Sequence, residues 1–272
     1  MTFLHSLFLG LLQGLTEFLP ISSSGHLVIF QNLFGLTEPM ISFDVMLHLG
    51  TLVAVLLFFR RDIIAIISAI AGNTVPEGDT WSGGPREGRM FMLWVIVGTL
   101  PAAAAGLFLE EFFERAFESL PVVGADLLIT GAVLAVSDRF RGPGKKAADL
   151  GPAGALIVGA AQALAILPGI SRSGATICAA LFLGLDRKEA ARYSFLLSVP
   201  AIAGAAVLKA KDAFGPQFEM GLPVLGGTAL ACISGLVALQ WLLAVLTRGR
   251  LIYFAAYCWL AAAGAFSLSF LL

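Results

Sequence analysis

Along this chain apolar runs alternate with short polar interruptions, and the length of each run limits what it can be. Three runs, 90–109, 220–246 and 251–272, are long and carry no charge. Three more are apolar but interrupted: 42–59 by Asp44 and His48, 122–137 by Asp126, and 193–208 by Pro200. A hydrocarbon core about 30 Å thick is spanned by about 20 apolar helical residues, so all six are expected to cross a membrane. The polar stretches 72–89, 110–121, 139–151 and 209–219 are expected to be linkers outside it.

Two further apolar runs do not fit a simple crossing. Run 1–36 is broken at Pro20 and Ser22-Ser23-Ser24-Gly25, and run 152–185 at Pro168-Gly169 and Ser171-Arg172-Ser173-Gly174. Each break leaves a helix of about 16 residues and one of about 12, reaching roughly 24 and 18 Å. Both fall short of a bilayer core, so each run is expected to form a re-entrant hairpin. Non-helical backbone at that depth is tolerated only where it lines protein or water.

The two breaks resemble each other. Shifting residues 10–36 by 149 positions gives nine identities in 27, among them Gly10/Gly159, Gln13/Gln162, Ser22/Ser171, Ser24/Ser173, Gly25/Gly174 and Gly35/Gly184. The shared polar residues weigh most, because polar residues are scarce here. Each half then holds one hairpin and three crossings, and three is odd, so the second copy enters upside down. The expected fold is an all-α polytopic membrane protein. It is one integral membrane domain, 1–272, built of inverted-topology repeats 1–138 and 152–272 whose broken helices meet near the midplane.

Composition narrows the class. Hydrophobic residues make up 58% of the 272 and charged residues 13%, against about 45–50% and about 25% in a soluble domain. An ordinary soluble enzyme, a disordered chain and a nucleic-acid binder are excluded. The net charge of −1 implies no bulk electrostatic partner. Cys178, Cys232 and Cys258 sit in apolar runs without metal-ligand spacing. The first 20 residues lack a basic n-region and carry Gln13 and Glu17, so they read as mature protein rather than a cleaved signal. Charge also sets orientation. Arg60, Arg61, Arg86, Arg89, Arg139, Arg141, Lys145 and Lys146 fall on one side, and Arg187, Lys188, Arg192, Arg248 and Arg250 join them if 152–185 is a hairpin that returns to its starting side. The acidic stretch Glu110, Glu111, Glu114, Arg115, Glu118 falls opposite, with Lys209 and Lys211 as exceptions. The basic side is expected to be cytoplasmic, with both termini outside.

Few polar residues are left at membrane depth. Gln13 and Glu17 share a helix face, and Glu17 lies three residues before Pro20. It could be a packing residue, but ionisable groups inside a membrane are costly and usually functional. Ser22, Ser23, Ser24, Gly25 and His26 open the second arm. One serine suffices as an N-cap; three and a histidine exceed that need, at a helix end whose N–H groups favour an anion. Arg172 sits at the other break with Ser171, Ser173, Gly174 and Thr176. It reads either as a structural salt bridge, most simply to Glu17, or as a bidentate clamp on phosphate. Two helix N-termini, hydroxyls and one guanidinium describe a site for an anion with several oxygens. Asp44, His48 and Asp126 are weaker candidates, with capping or packing as their simpler roles.

At these residues the chain resembles the undecaprenyl pyrophosphate phosphatase family of the bacitracin-resistance type. The matching motifs are Gln13 to Glu17, Pro20 to His26 and Pro168 to Thr176, with Phe43-Asp44 and Ser194-Phe195-Leu196-Leu197 extending the likeness over the whole chain. The resemblance implies a bacterial inner-membrane hydrolase with its site open to the periplasmic face. It would cleave undecaprenyl diphosphate to the monophosphate and phosphate, recycling the lipid carrier of cell-wall glycans and giving bacitracin resistance. It implies a divalent cation, Mg²⁺ or Ca²⁺. By position, Ser23 matches the proposed nucleophile, Glu17 the essential acidic residue, His26 the essential histidine and Arg172 the diphosphate-binding arginine. Position 13 is Gln where the motif also allows Glu, so a metal site on Glu17 and Gln13 has one carboxylate.

Serine attack on the terminal phosphorus, direct attack by water and a phospho-histidine at His26 remain open, as does the base, Glu17 or His26. The bilayer and a polyprenyl diphosphate are the expected partners, nucleic acid is not, and a homodimer stands beside the monomer. A flippase or transporter of an anionic polyprenyl lipid or small anion is the alternative, since inverted repeats with broken helices also build transporters. Both need Arg172; only a hydrolase needs Glu17, Ser23 and His26 beside it. The orientation has a direct check: a tag at Lys145 is expected to label only from the cytoplasmic side, and periplasmic labelling would refute it.

Overall fold

The computed structural model describes every residue except 37–39, 74–83, 141–143, 216–219, 249 and 272. Parts of three expected linkers, with Arg141, therefore lie outside the described residues. The described residues form no strand; one isolated bridge joins Lys145 and Leu185. The helices are α1 (Phe3–Phe18), α2 (Ser23–Leu33), α3 (Ile41–Phe58), α4 (Arg60–Ile70), α5 (Pro85–Phe108), α6 (Glu110–Phe117), α7 (Leu120–Ser137), α8 (Gly151–Leu164), α9 (Arg172–Phe182), α10 (Arg187–Leu208), α11 (Ala210–Ala213), α12 (Leu222–Arg248) and α13 (Ile252–Leu271).

Six of them, α3, α5, α7, α10, α12 and α13, are long and apolar enough to cross a membrane, and they coincide with the six expected crossings. Prolines sit where a first-turn N–H has no intrahelical partner, in α5, α7 and α8. Pro101 and Pro200 lie inside α5 and α10 without ending them, as happens in membrane helices whose neighbours satisfy the freed carbonyl. Large apolar side chains such as Phe108, Leu260 and Phe270 face outward, a surface suited to lipid tails.

Each broken run folds as a short hairpin. Its arms are α1 (16 residues) and α2 (11), then α8 (14) and α9 (11), close to the expected lengths. Two expectations need correction. The linker at 110–121 is largely helical, as α6 and the start of α7. Residues 60–70, to which the sequence pattern assigns no element, form α4, whose Asp62, Ala65, Ile66 and Ala69 are buried while Arg60 and Arg61 are exposed. Only Phe59 separates α4 from α3, so the apolar run masks an amphipathic helix behind a crossing one.

The contacts of the two hairpins follow the sequence shift of 149. Helix α1 packs along α12, and α8 packs along α5. A Cβ on Gly10 would lie 2.2 Å from the Gly227 carbonyl oxygen, and one on Gly159, its counterpart, 2.3 Å from that of Gly98. At the breaks, a Cβ on Gly25 would meet Gly169 Cα at 3.1 Å, and one on Gly174 would meet Pro20 Cβ at 3.3 Å. Gly35 and Gly184, also counterparts, both take left-handed backbone (φ 68° and 91°) just after α2 and α9, a conformation that costs glycine little.

Charges close the two ends of the bundle. At one end Asp62 and Glu189 hold Arg192 (3.2 and 2.5 Å), and Asp138 faces Arg187 at 3.8 Å. At the other, Lys209 lies 2.5 Å from both Glu110 and Glu114 of α6. Partial burial works to lower the Lys209 pKa, but the two carboxylates outweigh it and raise it above the ordinary lysine value. Of the two exceptions in the charge pattern, Lys209 is thus neutralised locally.

Because Gly159 leaves no room for a side chain against the α5 backbone, Gly159→Val is expected to separate α8 from α5. The thermal midpoint in detergent should fall by several degrees. Gly106→Ala, with nothing within 4 Å of the new Cβ, should not lower the midpoint, since helix propensity favours alanine by about 0.5–1 kcal/mol.

Candidate active site

The breaks of the two hairpins meet. Helix α1 brings Glu17 to within one turn of its end, and α2 begins at Ser23 after the turn Leu19–Ser22. Helix α9 begins at Arg172. Glu17 Oε1 accepts from Arg172 Nη2 at 2.6 Å, and Glu17 Oε2 accepts from Ser23 Oγ at 2.5 Å and from Gln13 Nε2 at 3.0 Å. His48 Nε2 of α3 lies 3.9 Å from the same oxygen. Glu17 is 7% exposed and Ser23 9%, so this carboxylate sits largely out of solvent with one cation and two neutral donors around it. Two polar atoms remain buried without a partner beside it: Arg172 Nη1 and Gln13 Oε1. An unpartnered buried donor or acceptor is costly, and both belong to the side chains that hold Glu17.

The turns are held by their own side chains. Ser22 Oγ accepts from Gly25 N (3.3 Å), capping α2, and from Gly169 N (3.1 Å) of the other turn. Ser171 Oγ caps α9 through Gly174 N (3.1 Å), and Ser173 Oγ donates to Leu19 O (3.1 Å). Each break therefore bonds to the other. Thr130 of α7 secures the second turn by donating to Gly169 O (2.8 Å) and accepting from Ser171 N (3.1 Å). Ser22 has φ 69° and ψ 96°, the only positive φ at a non-glycine among the described residues. Such backbone costs on the order of 1–3 kcal/mol and persists only where neighbours over-determine it.

Residues 6–264 match the family described as bacitracin resistance protein BacA. The chain belongs to that family. It is similar to proteins named undecaprenyl-diphosphatase from Desulfatibacillum aliphaticivorans, 46% identical over 97% of each chain, and Desulfosudis oleivorans, 47% identical over 93% of each. One from Korarchaeum cryptofilum is 45% identical over 93% of this chain and 94% of its own.

In this BacA-family chain the structure brings Gln13, Glu17, Ser23 and Arg172 into one cluster. Ser24, partly exposed, lies 3.3 Å from Ser22 Oγ. Ser171, Ser173 and Thr176 are buried with their hydroxyls committed to the protein: Ser171 and Ser173 to each other (3.2 Å), Thr176 to Arg172 O (2.8 Å) and Ser194 Oγ (2.5 Å). The ring nitrogens of His26 bond elsewhere than to Ser23. Its Nδ1 is 2.6 Å from Ser22 O and its Nε2 2.8 Å from the Tyr257 hydroxyl. Asp44, in the first turn of α3, accepts from Gln31 at 2.8 Å. Asp126 lies against Gly169, its Oδ2 buried without a partner.

No group of three or more His, Cys, Asp or Glu suited to a metal occurs among the described residues. The donor set still fits an oxygen-loving cation of the kind bound by one or two carboxylates plus substrate phosphates, because the unpartnered Gln13 Oε1 lies beside Glu17. Three residues of the cluster and its turns stand out less in the sequence. His48 faces Glu17 from an apolar stretch, where a lone histidine reads most simply as a packing residue. Thr130 and Tyr257 are single polar groups in long apolar runs, and no spacing marks them.

Removing one partner of a buried ion pair is expected to cost about 3–5 kcal/mol. Arg172→Ala should therefore lower unfolding stability in detergent by about that much, and adding Glu17→Gln should recover most of it. A loss that Glu17→Gln does not relieve would show that Arg172 stabilises the fold through other contacts.

Proposed function

We propose that this protein is a phosphoanhydride hydrolase that converts undecaprenyl diphosphate to undecaprenyl phosphate and inorganic phosphate, recycling the carrier of cell-wall glycans. The observation that carries this reading is the Ser23 hydroxyl 2.5 Å from Glu17 Oε2, with Arg172 on the other carboxylate oxygen. A hydroxyl donating to a buried carboxylate is a nucleophile with its base in place. The names of the similar proteins support the substrate. Moving an anion across the membrane would use Arg172 but would need no serine on a carboxylate.

The terminal phosphate sits by Arg172, whose free Nη1 donates to it, and by the N-termini of α2 and α9. Ser23 Oγ attacks the terminal phosphorus and its proton passes to Glu17 Oε2. The bond from that phosphorus to the bridging oxygen breaks, and undecaprenyl phosphate leaves. Water then takes the phosphoryl group from Ser23, with Glu17 returning the proton. Phosphoryl transfer depends mainly on placement and charge neutralisation, which Arg172 and the helix ends supply. Gln13 and Glu17 would hold a divalent cation, Mg²⁺ or Ca²⁺, which would add positive charge beside the phosphates. Ser22, Ser171, Ser173, Gly25, Gly174 and Thr176 serve through the turns they build, and Ser24 as a further donor to the diphosphate.

In this reading 1–138 and 152–272 are inverted repeats, and the exchange of contacts between α1–α12 and α8–α5 supports it. The hairpin breaks open to the periplasmic face of the cytoplasmic membrane, supported by the basic residues gathered at the other end of the bundle.

Purified protein in detergent is expected to release phosphate from a long-chain polyprenyl diphosphate. A chelator should suppress the release, and added Mg²⁺ or Ca²⁺ should restore it. Arg172→Ala and Glu17→Gln should each lower kcat about 100-fold or more, the scale of losing one charge-stabilising group. No release from the wild type, or full release in both variants, sinks the reading.

A further inference from the structure

The repeat supplies an internal control for Ser22. Its counterpart Ser171 caps α9 just as Ser22 caps α2, yet Ser171 has ordinary backbone, φ −72° and ψ 117°, against φ 69° and ψ 96°. The turns differ at Leu19/Pro168, Pro20/Gly169 and Ser23/Arg172, and four residues on from the cap, where the first has His26 and the second Ala175; only this last difference puts a side chain on the cap carbonyl. Ser171 O receives one bond, from Ala175 N at 2.8 Å. Ser22 O lies 2.6 Å from His26 Nδ1, and its bond from His26 N is stretched to 3.3 Å. The imidazole thus competes with the helix for this carbonyl, at the one turn whose backbone is strained.

A carbonyl only accepts, so Nδ1 carries the proton. In the neutral ring Nε2 is then an acceptor, and the Tyr257 hydroxyl donates to it at 2.8 Å. The other tautomer would set a lone pair against the Ser22 carbonyl and lose that bond. The rings lie nearly parallel, 8° apart with centroids at 5.5 Å. The adjacent Cys258 Sγ reaches Pro20 O at 3.7 Å, so α13 braces the same turn twice. Both ring nitrogens are thereby occupied by partners other than Ser23.

We propose that Tyr257 is a positioning residue of the reaction: its hydroxyl fixes the His26 tautomer, and His26 holds the Ser22 carbonyl and so aims Ser23 at Glu17. This rests on the hydrolase reading above. It assigns His26 a role through the backbone rather than in proton transfer, and ties the last helix to the site through one hydroxyl.

The test separates the two claims. Nitrogen-15 imidazole NMR reads the tautomer without activity; the chain has three histidines, and His26→Ala identifies the His26 signal. The wild type should show Nδ1–H at His26, and Tyr257→Phe a mixture. In the phosphate-release assay, Tyr257→Phe should lower kcat about 10-fold with KM within about twofold, as expected when a reacting group is slightly misplaced. It should have no further effect in a His26→Ala background. His26→Asn keeps an N–H for Ser22 O, as Asn32 donates to Val28 O four residues back on the same helix (2.8 Å). It should retain about a tenth of the activity or more while His26→Ala loses about 100-fold. The proposal is overturned by an Nε2–H signal in the wild type, by equal loss in the Asn and Ala variants, or by a Tyr257 effect that survives without His26. An inactive wild type with the expected tautomer would instead count against the hydrolase reading alone.

Discussion

The ion pair between Glu17 and Arg172 is the contact on which the remaining geometry depends. It joins residues 155 positions apart at 2.6 Å, with Glu17 at one hairpin break and Arg172 at the other. Stripping water from both charges is expensive, and their attraction offsets the cost only with good geometry and further hydrogen bonds. Those bonds are present: Ser23 and Gln13 satisfy the second carboxylate oxygen. The rest of the fold brings the two breaks close enough for the pair to form. Glycines at the α1–α12 and α8–α5 crossings let helices approach to backbone contact, while Ser22 and Ser173 stitch one turn to the other.

The two halves use the same frame for different ends. The first carries the carboxylate, the hydroxyl and the strained backbone. The second carries the guanidinium on relaxed backbone, fastened by Thr130. Where Gln13 donates to Glu17, its counterpart Gln162 faces no carboxylate in its own helix, because Ile166 stands at the position equivalent to Glu17, and both its amide atoms are buried without a partner. The polar chemistry is thus divided between the two turns.

What the sequence made legible follows from scarcity. With 13% charged residues, the membrane crossings stand out by length, and the two breaks by the polar residues they concentrate. The pairing of Arg172 with Glu17 is readable because each needs a counter-ion and the other is the simplest one. Helix α4 is not readable, since it follows α3 after a single residue and its buried face continues the same apolar run. Helix α6 hides in a stretch whose acidic residues suggest a solvated loop, when they lie along a helix that meets Lys209. His26 is prominent in sequence but its partners are not. Tyr257 is 231 residues away in an apolar helix, and only the fold brings the two rings together.

The distance along the chain between Glu17 and Arg172 also governs how the protein is made. A ribosome adding about 5–20 residues per second needs roughly 8–30 s to cover the 155 residues between them. For that interval the first hairpin exists without its counter-ion. The growing chain therefore holds no Glu17–Arg172 pair until nearly two thirds of its 272 residues have been added.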